Sequence, residues 1–130
     1  MIGMEPVTFH IDGGDRGRLI LRGTEYLPEG FDEHGSSPVA LLFHGFGGNR
    51  IDYSGFMVQM ARELAIRGIV AVTYDRAGHG ESDGEFFDTT VTGDVEDALQ
   101  VVEAARNLPG CDSDNLHLAG LSLGAVIATW

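Results

Sequence analysis

A chain of 130 residues has the length of one domain, since domains commonly run to roughly 100–150 residues, and 43% hydrophobic with 22% charged residues is enough apolar material for a packed core. Twenty acidic residues against eight basic ones give a net charge of −12, which argues against binding a nucleic-acid backbone or an anionic membrane. No apolar run approaches the roughly 18 residues of a membrane span, and the N-terminus lacks a signal-peptide pattern, so a soluble cytoplasmic protein is expected. Residues 7–11 and 18–27 read as strands joined by the turn Asp12-Gly13-Gly14-Asp15, a possible hairpin. A polar loop over 28–38 leads into Val39-Ala40-Leu41-Leu42-Phe43, an apolar run typical of a strand buried on both faces.

From there strands and helices alternate. Residues 56–67 form a helix with Met57, Met60, Ala61, Leu64 and Ala65 on one face, ended by Gly68. Residues 69–74 are a second buried strand. Residues 91–108 form a helix with Val95, Ala98, Leu99, Val102 and Ala105 on one face, and Asp94, Glu96 and Asp97 sit where the helix dipole favours acids. Pro109-Gly110 closes it, 116–120 is a third short strand, and 122–130 begins another helix, with Leu123, Val126, Ile127 and Trp130 at helical spacing. This alternation predicts an α/β fold with a mostly parallel sheet flanked by helices.

Sites in such sheets form at the carboxyl ends of the strands. The loops expected there read His44-Gly45-Phe46-Gly47-Gly48-Asn49, Asp75-Arg76-Ala77-Gly78-His79-Gly80 and Leu121-Ser122-Leu123-Gly124. Gly120-Leu121-Ser122-Leu123-Gly124 fits G-x-S-x-G between an apolar strand and an apolar helix, the setting a nucleophile elbow requires. A serine in that tight turn is exposed, and Gly120 and Gly124 avoid clashes across it. The bland alternative is a helix-capping serine between packing glycines. Gly45 to Gly48 lets the Phe46 N–H turn toward a carbonyl oxygen, with the Leu123 N–H as the second donor. A phosphate cradle fits less well, because Arg50 stands where G-x-G-x-x-G needs glycine and no P-loop G-K-[ST] occurs.

These loops, His-Gly-Phe at 44–46, Asp-Arg-Ala-Gly-His-Gly-Glu-Ser-Asp-Gly at 75–84 and Gly-Leu-Ser-Leu-Gly at 120–124, resemble in order and spacing the N-terminal half of the α/β-hydrolase superfamily. The 78–86 stretch looks most like the cinnamoyl/feruloyl-type serine esterases. The resemblance implies Ser122 as nucleophile, Phe46 and Leu123 as oxyanion-hole amides, and Gly45, Gly120, Gly124 and His44 as supports of the elbow and its neighbouring loop. It implies a small-molecule ester substrate and no cofactor.

A serine hydrolase also needs a base and an acid, which in this superfamily follow the serine. Only eight residues follow Ser122, so the chain is expected to be a fragment truncated after the elbow and inactive alone. The resemblance also implies that 116–120 is a mid-sheet strand whose next neighbour this chain lacks. In-chain stand-ins are His44, best on distance, and His79, but the resemblance makes both structural. His117 lies about 16 Å from the serine at the wrong end of its strand. Asp75 is expected to tie loop amides, Ser82 and Asp83 to form turns, and His10 and His34 to lie on the surface. No H-E-x-x-H or similar metal-ligand spacing occurs. The single cysteine, Cys111, excludes an internal disulfide and is expected to be inert. The competing functions are a peptidase or other acyl hydrolase of the same fold, or a non-catalytic binding domain. The sequence sets no oligomeric state.

Overall fold

A computed structural model describes residues 1–51 and 55–129. Strands β1 (Gly3–Asp12) and β2 (Arg18–Leu27) pair antiparallel along their whole lengths, Gly3 opposite Leu27 and Asp12 opposite Arg18. The hairpin is therefore real, and β1 starts earlier than the alternating pattern of 7–11 indicates. Pro6 does not stop it, because β1 is an edge strand and a missing N–H is tolerated there.

The other elements are β3 (Ser37–Phe43), α1 (Phe56–Ile66), β4 (Val70–Tyr74), α2 (Val91–Arg106), β5 (Cys111–Gly120) and α3 (Leu123–Thr129). The five-stranded sheet has the order β1-β2-β4-β3-β5. β4, β3 and β5 run parallel, while β2 joins β4 antiparallel. The sheet is thus mixed, with its parallel part confined to the three strands of the alternating region. Ser37 pairs with Cys111 and Val39 with Leu116, so β5 starts earlier than the expected strand over 116–120, and residues 112–115 form a bulge within it. Within it the Asp114 N–H donates to the Asp112 side chain at 2.9 Å.

β3 and β4 are buried on both faces, as their apolar runs predict. Val39, Leu41, Phe43, Val70 and Val72 join the larger core with Phe9, Leu21 and residues of α2 and α3. Leu42 and Ala71 belong to a second core with Met57, Ala61 and Ala65 of α1. The two-residue period of a strand sends alternate side chains to opposite faces, and the helices cover both.

α2 departs from expectation. Leu99 is 66% exposed, and the buried stripe is Asp94, Asp97, Ala98, Val101 and Ala105. The two acids are on the inner face because each meets an arginine there. Arg16, from the hairpin turn, grips Asp97 with both guanidinium arms at 2.7 and 3.0 Å. Trp130, expected to close the apolar stripe of the last helix, lies outside the described residues.

Among the described residues β5 has a partner on one side only, and Leu118 and Val126 are each more than 40% exposed. An open strand edge invites pairing with another chain. The isolated 130-residue chain is expected to self-associate through β5, or to exchange amide protons fastest from Leu116 onward. Sedimentation at tens of micromolar with hydrogen exchange checks this. A monomer whose 116–129 amides are protected as well as those of 39–43 would contradict it.

Candidate active site

β5 ends beside β3, and the Leu121 N–H continues the ladder by donating to the Phe43 carbonyl at 3.1 Å. The chain then reverses into α3 at Ser122, whose φ is 56°, the one positive φ among the described non-glycine residues. A left-handed serine costs about 1–3 kcal/mol and persists only where its surroundings impose it. Here they do. A Cβ on Gly120 would run into the Gly124 carbonyl, and one on Gly124 would run into the Phe43 carbonyl. The start of α3 thus lies directly on the end of β3, with no room for side chains at either glycine. Ser122 itself is exposed.

The glycine loop after β3 lies against this turn. A Cβ placed on Gly45 would sit 3.6 Å from Ser122 Cβ, in ordinary contact. The loop folds back through a bond from the Gly48 N–H to the Gly45 carbonyl at 3.2 Å. Gly47 takes a φ of 68°, which glycine adopts freely. Neither the Phe46 nor the Leu123 N–H has a hydrogen-bond acceptor among the described residues. The Phe46 ring is 70% exposed and leans on Phe86 at 5.6 Å between centroids.

His44 is fully buried. Its Nδ1 faces the Gly45 carbonyl at 2.8 Å, and its Nε2 accepts the Arg76 N–H at 3.0 Å. The pairing assigns the proton to Nδ1. Burial, reinforced by the Arg76 charge, pulls its pKa from 6.5 down to about 3. With both nitrogens engaged, His44 has no lone pair to offer Ser122. His79 is also buried; its Nδ1 meets the Ala77 carbonyl at 3.1 Å, and its Nε2 is sealed in without a partner among the described residues. Its ring packs on His44 and Phe86. His117 is exposed and bonded to Asn115 at 2.7 Å, and His10 and His34 are exposed. Burial raises the Cys111 thiol to about 11, so it holds its proton at neutral pH.

The residue that joins these loops is Arg76, which sequence patterning did not single out. Its guanidinium is 1% exposed. It donates to the carbonyls of His44 and Gly45 and pairs with Asp94 of α2 at 3.2 Å. Burial pushes the Asp94 carboxyl up while Arg76 pulls it down. The one available signal was spacing: Asp94 and Asp97 fall in register with Ala98, Val101 and Ala105, on a stripe where lone acids would be costly.

Asp75 does tie loop amides. Its carboxylate accepts the Arg50 N–H at 2.6 Å, the Arg50 guanidinium, and the Glu81 N–H at 3.0 Å. Ser82 and Asp83 do more than form a turn. The Ser82 hydroxyl donates to the Asp75 carbonyl at 2.6 Å and accepts the Arg22 N–H at 2.8 Å. Asp83 accepts the Ile20 N–H at 2.9 Å. Together they cap the edge of β2 beyond the end of β4. Gly80 to Gly84 is a second G-x-S-x-G, but its serine is engaged on both sides.

A cavity of about 240 Å³ touches both Phe46 and Leu123 and is also lined by His79, Thr90, Val91 and Asp94. A larger one of about 560 Å³ lies at the hairpin turn and the start of α2. Neither lining includes a serine, and only the smaller cavity touches Phe46 and Leu123. Among the described residues no cluster of His, Cys, Asp and Glu could hold a metal ion, and no helix is long and apolar enough to cross a membrane.

Two outcomes are expected. Asp94→Ala leaves the Arg76 charge buried without its acid and should cost about 3–5 kcal/mol, read as a lower urea midpoint. His44 resists protonation only when folded, so the unfolded chain binds the extra proton. Its contribution to stability is therefore lost as pH falls from about 6.5 toward about 3. Subtracting the urea stability profile of His44→Gln from that of the unsubstituted chain should reveal that slope.

Residues 40–130 match the model of the alpha/beta hydrolase family. An Escherichia coli relative, the uncharacterized 31.7 kDa protein of the traX-finO intergenic region, is 33% identical over 98 residues, 75% of this chain and 32% of that protein. The solved structure of Est1E from Butyrivibrio proteoclasticus with ferulic acid bound is 27% identical, with a TM-score of 0.77 over 91% of this chain and 44% of that one. The Pyrococcus furiosus esterase Pf2001 shares the fold, with a TM-score of 0.74 at 21% identity over 98% of this chain and 46% of that one. The chain spans about a third of the curated relative and less than half of these solved structures. Its resemblance to feruloyl-type esterases holds in sequence and in structure, and the chain belongs to the alpha/beta hydrolase family.

Proposed function

We propose that this chain carries the nucleophile and the oxyanion donors of a cytoplasmic serine hydrolase acting on small carboxylic esters. The observation that carries the reading is the left-handed, exposed Ser122 beside a glycine loop, with the Phe46 and Leu123 amides lacking acceptors among the described residues. The resemblance to Est1E, solved with ferulic acid, supports an ester as substrate. In this reading Ser122 Oγ attacks the ester carbonyl carbon, and its proton passes to a base. The carbonyl oxygen becomes an oxyanion that accepts the two amide N–H groups. The tetrahedral intermediate expels the alcohol, which takes the proton from the base, and leaves an acyl group on Ser122. Water, deprotonated by the same base, then releases the carboxylate. No step calls for a cofactor.

The base and its orienting acid belong, in this reading, to sequence outside these 130 residues, because His44 is committed to Gly45 and Arg76. In the full-length protein a fluorophosphonate probe should acylate Ser122 alone. Ser122→Ala should lower kcat by roughly 10⁴–10⁶. Label on Ser54 or Ser82, or undiminished hydrolysis by Ser122→Ala, would overturn the reading. The 130-residue chain by itself should hydrolyse p-nitrophenyl esters no faster than about 10³-fold over water. Turnover near 10 s⁻¹, the order usual for enzymes, abolished by His44→Ala, would show that His44 does act as the base.

A further inference from the structure

The loop between His44 and Arg50 must hold the Phe46 amide in register with the Leu123 amide, which belongs to a different element. Gly45, Gly47 and Gly48 give that loop no stiffness of their own, so its position depends on its anchors. The first end is held by Arg76 through the His44 and Gly45 carbonyls. The far end is held by Arg50. Its N–H donates to Asp75 Oδ1 at 2.6 Å, and its guanidinium pairs with the other Asp75 oxygen. Nη2 reaches Glu81 Oε1 at 2.6 Å, and Nε donates to Thr24 Oγ1 at 3.2 Å. Asp75 and Arg76 are neighbours in sequence, so one rigid dipeptide at the end of β4 grips both ends of the loop. Gly80 lies so close to Asp75 that a Cβ there would strike the carboxylate. Asp75 is therefore confined, and Arg50 is fixed against it.

We propose that Arg50 is a positioning residue: by bridging Asp75, Glu81 and Thr24 it sets the place of the Phe46 N–H, and so governs oxyanion stabilisation without touching substrate. This rests on the serine-hydrolase reading of Ser122. Loss of a whole oxyanion donor costs about 10²–10³ in kcat. A displaced donor should cost less, about 10- to 100-fold.

The test uses the full-length protein. Arg50→Met should lower kcat by about 10- to 100-fold with KM within about threefold, because the lost interaction forms only in the transition state. Inhibition by a boronic acid, whose tetrahedral adduct on Ser122 places an oxygen between the two amides, should weaken in parallel. Arg50→Lys should restore part of both, since one ammonium can meet Asp75 but cannot bridge to Glu81 as a guanidinium fork does. Should Arg50→Met not fold, Glu81→Gln removes one charged partner at a largely exposed side chain. It should lower kcat and boronate affinity together, by about two- to fivefold.

Unchanged kcat and boronate affinity with only a lower melting temperature would overturn the proposal, leaving Arg50 a structural residue. So would a raised KM with an unaltered boronate constant. A wild-type protein that neither hydrolyses esters nor takes the fluorophosphonate label would instead overturn the serine-hydrolase reading, and the proposal with it.

Discussion

A buried guanidinium sets the geometry of this molecule. Arg76 sits at the end of a strand whose five residues are all buried, and it is itself 1% exposed. A charge there is tolerable only if every donor finds an acceptor and the charge finds an opposite one. Asp94 supplies the charge, and the His44 and Gly45 carbonyls supply the acceptors. These partners lie on α2 and at the end of β3, so satisfying one side chain fixes the end of β4, the glycine loop and the first turn of α2 together. A buried ion pair need not add net stability. Its consequence here is geometric, since few other arrangements of the three elements would give the same three guanidinium bonds.

The same device recurs around the sheet's carboxyl end. All eight basic residues of this acidic chain are arginine. Arg16 binds Asp97, Arg22 binds Asp83, and Arg50 binds Asp75 and Glu81. A guanidinium presents its donors in a planar fork and can bridge carboxylates and carbonyls that a single ammonium cannot span. Each pair joins segments far apart in sequence, and those formed by Arg16 and Arg76 attach α2 to the hairpin turn and to the site. Chain segments rich in glycine are thereby held by side chains of their neighbours rather than by their own backbone preferences.

This explains what could and could not be read in advance. Residues 39–43 and 69–74 were legible as strands because burial on both faces demands unbroken apolar runs. The hairpin and α1 followed from turn signals and periodicity, and the proximity of the His44 loop to Ser122 from the strand order that the family resemblance implies. The inner face of α2 did not. Hydrophobic periodicity assigns acids to solvent, so Asp94 and Asp97 were given to the helix dipole and Leu99 was turned inward. Only their distant partners, Arg76 and Arg16, reverse that assignment, and no local pattern encodes a partner 18 or 81 residues away. The bulge in β5 escaped for a related reason. Cys111 pairs because Ser37 lies opposite, although the intervening 112–115 segment looks like a loop.

The two G-x-S-x-G stretches show how little the pattern decides by itself. Gly80 to Gly84 and Gly120 to Gly124 are equivalent as strings of letters, and each serine follows a strand of the parallel part of the sheet. In the first, the chain lies along the uncovered edge of β2 and needs hydrogen-bonding groups there. The Ser82 hydroxyl supplies them by bridging Arg22 and Asp75, so its proton and one lone pair are committed. In the second, the chain turns directly into a helix packed against the carbonyl end of β3. The turn is so tight that the serine is forced into the left-handed region with its side chain outward. Among the described residues the Phe46 and Leu123 N–H groups beside it have no acceptor: Gly120 and Gly124 leave no room for side chains across the turn, and the glycine loop lies in ordinary contact with it at Gly45. The availability of those amides to a developing negative charge thus accompanies the close meeting of α3 and the glycine loop at the end of β3.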